Sequence, residues 1–137
     1  MPAASGCRFP GLAIYQSSIY NDDMKQRALQ EPAFLILTAL AAGPQHGYGI
    51  MADVAGISAG RVRLGAGTLY AALNRLSTDR LVEPDHEEIV DGRLRRHYRL
   101  TPDGARVLAA EAGRLRANAA AATRRLRQAG QPAGGPA

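Results

Sequence analysis

The chain has 137 residues, of which 17 are Lys or Arg and 12 are Asp or Glu, so its formal net charge is +5. This length fits one domain with a modest core, and no second domain is needed to account for it. Lys25 is the one lysine, so the basic surplus is almost entirely arginine and favours an anionic partner such as nucleic acid.

Cysteine content and hydropathy predict the compartment. The single Cys7 excludes an intramolecular disulfide, and the absence of a signal-peptide pattern agrees with a reducing environment. The sequence also lacks an apolar run near the roughly 20 residues that a membrane helix needs. We therefore expect a cytoplasmic protein with no membrane contact.

The first ordered element is predicted after residues 1–23, which mix small residues, Pro and Gly and are interpreted as a disordered arm. In EPAFLILTALAAG, Glu31 and Pro32 favour a helix start and Gly43-Pro44 ends it. Its apolar side chains wrap most of the circumference: Phe34, Leu35, Ile36, Leu37 and Leu40. We expect such a helix to be covered on two sides, by its own domain and by another subunit.

A second, shorter helix is predicted in HGYGIMADVAGIS, ending near Gly56. Tyr48, Met51 and Val54 recur at helical spacing, so Tyr48 is expected in the core or an interface. The next stretch, AGRVRLGAG, is interpreted as a turn.

The third helix is predicted in GTLYAALNRL, where Leu69, Leu73 and Leu76 share one face. Its opposite face collects small or uncharged residues, flanked by two larger side chains. The small residues are Gly67, Ala71, Asn74 and Thr78, and the flanks are Tyr70 and Arg75. This outer face can approach another surface closely.

The period changes to 2 in LVEPDHEEIVDGRLRRHYRLT, and Asp91-Gly92 predicts a type I′ hairpin turn. That turn implies five cross-strand pairs: Val90 with Arg93, Ile89 with Leu94, Glu88 with Arg95, Glu87 with Arg96, and His86 with His97. Ile89 and Leu94 are then expected on the same face as Tyr98 and Leu100, where they would rest on the helices.

The last helix is predicted from TPDG, with Thr101 as N-cap and Pro102 in the first turn, to about Gln128. A heptad stripe runs along it: Leu108, Ala112, Leu115, Ala119, Ala122 and Leu126. Such a stripe on a projecting helix predicts a partner helix. The tail GQPAGGPA is disordered by composition.

This order of elements is typical of a winged helix-turn-helix, so the predicted fold is mainly α with a two-stranded wing and a long C-terminal dimerisation helix. The predicted division is an arm at 1–23, a DNA-binding domain at 24–101, a dimerisation helix at 102–129 and a disordered tail at 130–137. In such folds the third helix enters the major groove of double-stranded DNA, and the wing reaches the flanking backbone or minor groove.

The glycines at the mouth of the third helix have a role in this scheme. Without side chains at Gly65 and Gly67, backbone N–H groups can approach a phosphate, with hydroxyl support from Thr68 and Tyr70. Asn74 and Arg75 could reach base edges. The predicted DNA contacts are Arg61, Arg63, Gly67, Thr68, Tyr70, Asn74, Arg75, Arg93 and Arg95.

Alternative interpretations exist for several of these residues. Tyr70 could be a core aromatic, because it lies about 100° from the leucine face. Arg95 and Arg96 could simply form surface salt bridges with the glutamates opposite them. Arg93, at the wing tip with no acidic partner across the turn, is the better candidate for a phosphate contact.

Metal binding and catalysis are not predicted. His86 facing His97 supplies two imidazoles, which is an incomplete metal site, and neither HExxH nor CxxC occurs in the sequence. No Ser-His-Asp set, carboxylate pair or phosphate loop is recognisable. We expect no enzyme activity and no cofactor.

The sequence resembles PadR-family transcriptional regulators. The matching text is FLILTALAAGPQHGYGI (Phe34–Ile50), GTLYAALNRL (Gly67–Leu76) and DGRLRRHYRLTPDG (Asp91–Gly104), in the family's order and spacing. The resemblance covers residues 24 to about 128 and is closest to the subgroup with a short C-terminal region. It implies a dimeric repressor released by small aromatic or cationic molecules bound near the dimer interface.

The resemblance also implies that the first and last helices build the homodimer, in agreement with their apolar faces. The residues assigned to this interface are Phe34, Leu37, Leu108, Leu115, Ala119, Ala122 and Leu126. The predicted function is sequence-specific repression at a pseudo-palindromic operator. The rival hypothesis keeps the fold as a ligand- or protein-binding module with only generic affinity for DNA.

Overall fold

The structure, a computed structural model, describes residues 29–130. Its elements in chain order are α1 (Glu31–Ala41), β1 (Gln45–His46), α2 (Gly47–Ile57), α3 (Ala66–Thr78), β2 (Val82–Val90), β3 (Arg93–Leu100) and α4 (Pro102–Gln128). Four helices and a small antiparallel sheet confirm the predicted winged-helix class. The predicted arm at 1–23 and tail residues 131–137 lie outside the described residues.

Helix α1 lies at the centre of the core. It contacts α2, α3, α4 and β3, and Ile36 and Leu37 are completely buried. The prediction that a second subunit covers part of this helix through Leu37 is therefore wrong. Leu37 is enclosed by its own protomer, because the neighbouring helices and the sheet already surround α1.

The core is completed by α2 and α3. The predicted inner face of α3 is confirmed, since Leu69, Leu73 and Leu76 are buried. In α2 the buried positions are Gly47, Ile50 and Val54.

Tyr48 was expected in the core or in an interface; 72% of its surface is exposed, so its assignment to the core of the protomer is wrong. Helix α2 turns Gly47 inward, where a β-carbon would collide with the Tyr70 hydroxyl. This close packing directs the adjacent Tyr48 to the surface.

The hairpin has the predicted register. All five expected pairs are present, from Val90 with Arg93 to His86 with His97. Asp91 and Gly92 have φ values of 53° and 75°, as a type I′ turn requires.

Two features of the sheet were not predicted. A β-bulge lies between Pro84 and His86. The short strand β1 also pairs with β3, placing His46 opposite His97, so the sheet has three strands in the order β1-β3-β2.

The outer half of the wing extends past the helices. Ile89 and Leu94 are 74% and 60% exposed, so the prediction that this pair rests on the helices is wrong. At the other end of the strands, Val82 and Tyr98 reach the core. Ile89 and Leu94 pair across the hairpin, as predicted. Their side chains face solvent because the helices do not extend as far as the tip of the wing.

Helix α4 begins as predicted. The Thr101 hydroxyl oxygen accepts a hydrogen bond from the Gly104 N–H at 2.9 Å, and the hydroxyl donates to the carbonyl of Arg80 at 2.8 Å. Gly104 lies against the Leu81 carbonyl, where a β-carbon would not fit. The helix runs unbroken through Gly113 to Gln128. Within residues 29–130, none of the helices has the length and hydropathy to cross a membrane.

Candidate nucleic-acid interface

The outward face of α3 is open and nearly flat. Gly67, Ala71, Asn74 and Thr78 are all exposed, as is the flanking Arg75. They form the predicted outer face, opposite the buried leucines.

The amino end of α3 has space around it. A β-carbon on Gly65 or Gly67 would meet no heavy atom of the described residues within 4 Å. The N-cap, Gly65, provides no side-chain hydrogen bond, and Thr68 is exposed. Packing inside the protomer therefore does not require either glycine, and the positive end of the helix is accessible to an anion.

Tyr70 joins α3 to the start of α2. Its side chain reaches Gly47, and 44% of its surface is exposed. The sequence allowed Tyr70 to be either a surface residue that contacts DNA or a core aromatic. The structure is intermediate, because the side chain packs on Gly47 while nearly half of the residue remains exposed. Its hydroxyl thus lies beside the amino end of α2.

Four arginines, three of them on or before α3 and one on the wing, lack an acidic partner among the described residues. Arg61 and Arg63 lie in the loop before α3, Arg75 on α3 and Arg93 at the wing tip, and all four are exposed. Among the described residues, none of them forms a hydrogen bond or ion pair with a carboxylate within 4.0 Å. Their charge is therefore available to an outside anion.

The remaining wing arginines are engaged within the sheet. Arg96 donates from Nε to Glu87 Oε2 at 2.9 Å, as predicted, and this contact raises the pKa of the guanidinium. Arg95 pairs with Glu88 in the strand register, as predicted. Its side chain, however, turns to β1, where Nη1 lies 3.2 Å from His46 Nε2. Glu88 instead lies 3.3 Å from His97 Nε2. The alternative interpretation, a salt bridge between Arg95 and Glu88, is therefore not what the structure shows, because β1 brings in a partner from outside the hairpin.

The surroundings lower the pKa of two further groups in this region, His46 and Asp85. Partial burial, and then the charge of Arg95, lower the pKa of His46. Hydrogen bonds from His86 and then from Arg99 lower the pKa of Asp85. The three histidines of the chain thus lie together on one face of the sheet.

The residues assigned to the dimer interface lie in two environments. Phe34 and Leu108 are partly buried against the protomer's own core. Farther along α4, Leu115 and Leu126 are 43% and 41% exposed. Ala119 and Ala122 are also exposed. Outside Leu37, the assigned side chains thus keep some accessible surface.

A cavity of about 440 Å³ lies between α1 and α4. Its lining includes Phe34, Leu35 and Leu115 together with Glu111 and Arg114. Glu111 is 5% exposed and is paired with Arg114. No sequence motif singles out Glu111, although it is the one acidic residue of α4 beyond Asp103.

Comparison with known proteins gives the family. The family model described as "Transcriptional regulator PadR-like family" matches residues 36–110. An uncharacterised 37.1 kDa protein of transposon TN4556 from Streptomyces fradiae is 47% identical over 78 residues, which are 57% of this chain and 21% of that protein. A transcriptional regulator of Mycobacterium tuberculosis is 50% identical over 42 residues, 31% of this chain and 38% of the relative. The chain thus spans about a fifth and about two fifths of these curated relatives.

Solved structures have the same fold. A PadR family transcription regulator from Clostridium difficile has a TM-score of 0.57 at 24% identity, covering 72% of this chain and 97% of that one. A PadR family transcriptional regulator from Eggerthella lenta has a TM-score of 0.57 at 20% identity, covering 83% and 96%. The family match spans more than half of the sequence and includes α2, α3 and the wing. This chain belongs to the PadR-like family of transcriptional regulators.

Proposed function

We propose that the protein is a homodimeric transcriptional repressor that binds a pseudo-palindromic operator through α3 and the wing. The observation that carries the proposal is the open amino end of α3, with its small-featured outer face, beside four arginines that lack acidic partners in residues 29–130. Arginine and helix amino ends are the groups that proteins use to bind phosphates.

The proposed contacts fall into two classes. Arg61, Arg63, Thr68, Tyr70 and Arg93, together with the Gly67 backbone, bind phosphates and orient the protein. Asn74 and Arg75 bind base edges in the major groove, with adenine and guanine as their favoured partners. Arg95 is omitted from this contact set because it is partly buried and bound by His46.

The proposed dimer forms through α4, with a contribution from the exposed part of Phe34 on α1. The described part of α4 extends well beyond the core and carries Leu115 and Leu126 on its surface. Two subunits joined in this way would place their α3 helices in successive major grooves, with half-sites about 34 Å apart.

The cavity between α1 and α4 supports regulation by a small aromatic or cationic effector. Apolar side chains line it, together with the ion pair between the buried Glu111 and Arg114. An effector that binds there would change the angle between subunits and so the spacing of the α3 helices. The same cavity is what the rival function would use, in which the protein binds ligands and has only generic DNA affinity.

Selection from a pool of random duplexes at two salt concentrations tests the proposal. We expect an enriched inverted repeat whose affinity falls steeply as salt rises, because phosphate contacts release counterions. A pool that returns without enrichment would contradict sequence-specific repression. The rival function would then be tested by fluorescence titration with ethidium, a planar cation, in the absence of DNA.

Variants separate the two classes of contact. Arg93→Ala should weaken binding to every duplex, whereas Asn74→Ala and Arg75→Ala should relax the preference at particular base pairs, each by about 1–3 kcal/mol. Arg116→Ala removes an exposed charge from α4 and is the matched control. An unchanged base-by-base profile for both α3 variants would refute the assignment of direct readout.

A further inference from the structure

We propose that His86, Glu88 and His97 form a binding site for a divalent transition-metal ion of the Zn²⁺ class on the outer face of the sheet. The two imidazoles and the carboxylate offer ligand atoms that all lie within 4.8 Å of one another. Imidazole and carboxylate are ligands that Zn²⁺ accepts, and three protein ligands leave a fourth position for water or a further donor. This inference does not depend on DNA binding.

The hairpin register brings the three ligands together. His86 and Glu88 are two residues apart on β2 and therefore project from the same face of the sheet. His97 lies directly opposite His86 on β3. The distance from His97 Nε2 to Glu88 Oε1 is 3.3 Å, which is roughly the edge of a tetrahedron whose metal–ligand bonds are about 2.0–2.1 Å long. The ligand atoms as a set lie within 4.8 Å, and the rings of His86 and His97 are stacked, so binding an ion requires the His86 ring to rotate until its lone pair points at the site.

A neighbouring carboxylate holds one of the two ring nitrogens of His86. Its Nδ1 lies 2.5 Å from Asp85 Oδ2, so Nε2 is left for an ion. Metal-binding histidines commonly use their second nitrogen in this way, donating to a carboxylate that holds the ring. The β-bulge between Pro84 and His86 leaves Asp85 outside the regular pairing, beside the ring of its neighbour.

His97 is held within a stack of rings. Its centroid is 4.2 Å from that of His86 at an interplanar angle of 17°, and 5.3 Å from that of His46. The Nδ1 atom of His97 is buried and has no hydrogen-bond partner among the described residues. The stack therefore holds the ring in place beside Glu88.

Glu88 is not neutralised by the arginine opposite it. Arg95 pairs with Glu88 along the backbone, but its guanidinium lies at His46. The Glu88 carboxylate consequently remains beside the His97 imidazole, where it can serve as the third ligand. An ion held there would join β2 to β3 at the middle of the wing.

Titration with Co²⁺ tests the site, because tetrahedral Co²⁺ with nitrogen and oxygen ligands absorbs visible light. The protein is prepared without a tag, treated with EDTA, and carries Cys7→Ser so that its one thiol cannot bind the ion. We expect visible absorption that saturates near one equivalent of Co²⁺ and is displaced by Zn²⁺. Absorption that never saturates would overturn the proposal.

Variants of the wing test the ligand assignment. His86→Gln and Glu88→Gln should each weaken Co²⁺ binding by about tenfold or more, and Asp85→Asn by about 10–100-fold through the orientation of His86. Glu87→Gln makes the same change of charge on the opposite face of the same strand, so it should bind as the parent does. Circular dichroism confirms that each variant is folded. Equal weakening by Glu87→Gln and Glu88→Gln, or full binding by His86→Gln, would show that no defined site exists.

Discussion

At the scale of single residues, the glycines before and within the first turn of α3 are the most informative. Gly67 has φ outside the left-handed region, and a β-carbon on it would meet open space. Neither backbone conformation nor internal packing therefore calls for glycine at this position. Close approach of a phosphate, as proposed above, would account for glycine here.

Gly67→Ala tests that requirement. The substitution should not lower the free energy of unfolding, because alanine favours helix and finds space. DNA affinity should fall about tenfold, the equivalent of one lost charge-assisted hydrogen bond. Urea denaturation and fluorescence anisotropy with the selected duplex measure the two effects, and Gly113→Ala on α4 is the control. Unchanged affinity would mean that DNA does not approach Gly67 closely.

The backbone and the side chain of Arg95 have different partners. Its position opposite Glu88 follows from the hairpin turn. Its side chain instead lies within hydrogen-bond distance of His46, which is 49 residues away in the chain. Because Arg95 is turned to His46, the Glu88 carboxylate contacts His97 and joins the group of candidate metal ligands.

At the scale of elements, α4 depends on a close contact at its first turn. Gly104 is buried, donates to the Thr101 cap and lies against the Leu81 carbonyl. Farther along the same helix, Gly113 faces open space. Both glycines are helical, but the packing leaves no room for a side chain at Gly104 and leaves ample room at Gly113.

Gly104→Ala should destabilise the protein by about 1–3 kcal/mol, because the new β-carbon forces backbone apart at a packed junction. Gly113→Ala should instead stabilise it by roughly 0.5–1 kcal/mol through helix propensity. Urea denaturation at one protein concentration compares them, which keeps any contribution of self-association equal. The same sign of change for both would contradict the contact between Gly104 and Leu81.

At the scale of the whole molecule, the contacts proposed for DNA and those proposed for the dimer fall on different elements. The α3 face and the wing carry the first, and α4 carries the second. A charged residue in the stripe of α4 should therefore break the dimer without altering the α3 surface.

Leu115→Asp combined with Leu126→Asp should shift the protein from dimer to monomer in sedimentation velocity, because two carboxylates would meet their counterparts across the interface. Binding to the full inverted repeat should weaken because two monomers no longer bind as one unit. Ala117→Asp, on another side of α4, is the control and should stay dimeric. A double variant that sediments like the parent would contradict the proposed α4 interface.

Local chemistry was sufficient for much of the fold. The helix limits, the Thr101 cap and the Asp91-Gly92 register depend on residues a few positions apart, so they could be predicted from the sequence and agree with the structure. The buried leucine face of α3 and its polar outer face were predicted for the same reason.

The sequence by itself determined the order of elements, the pairing of the hairpin and the face of α3 that is free to bind. Tertiary structure decided which apolar side chains are covered, burying Leu37 and exposing Tyr48 and Ile89. It also added β1, which set the partner of Arg95 and thereby the environment of the histidines. Periodicity reports which side chains share a face, but coverage and partner choice depend on elements distant in the chain, which come together only on folding.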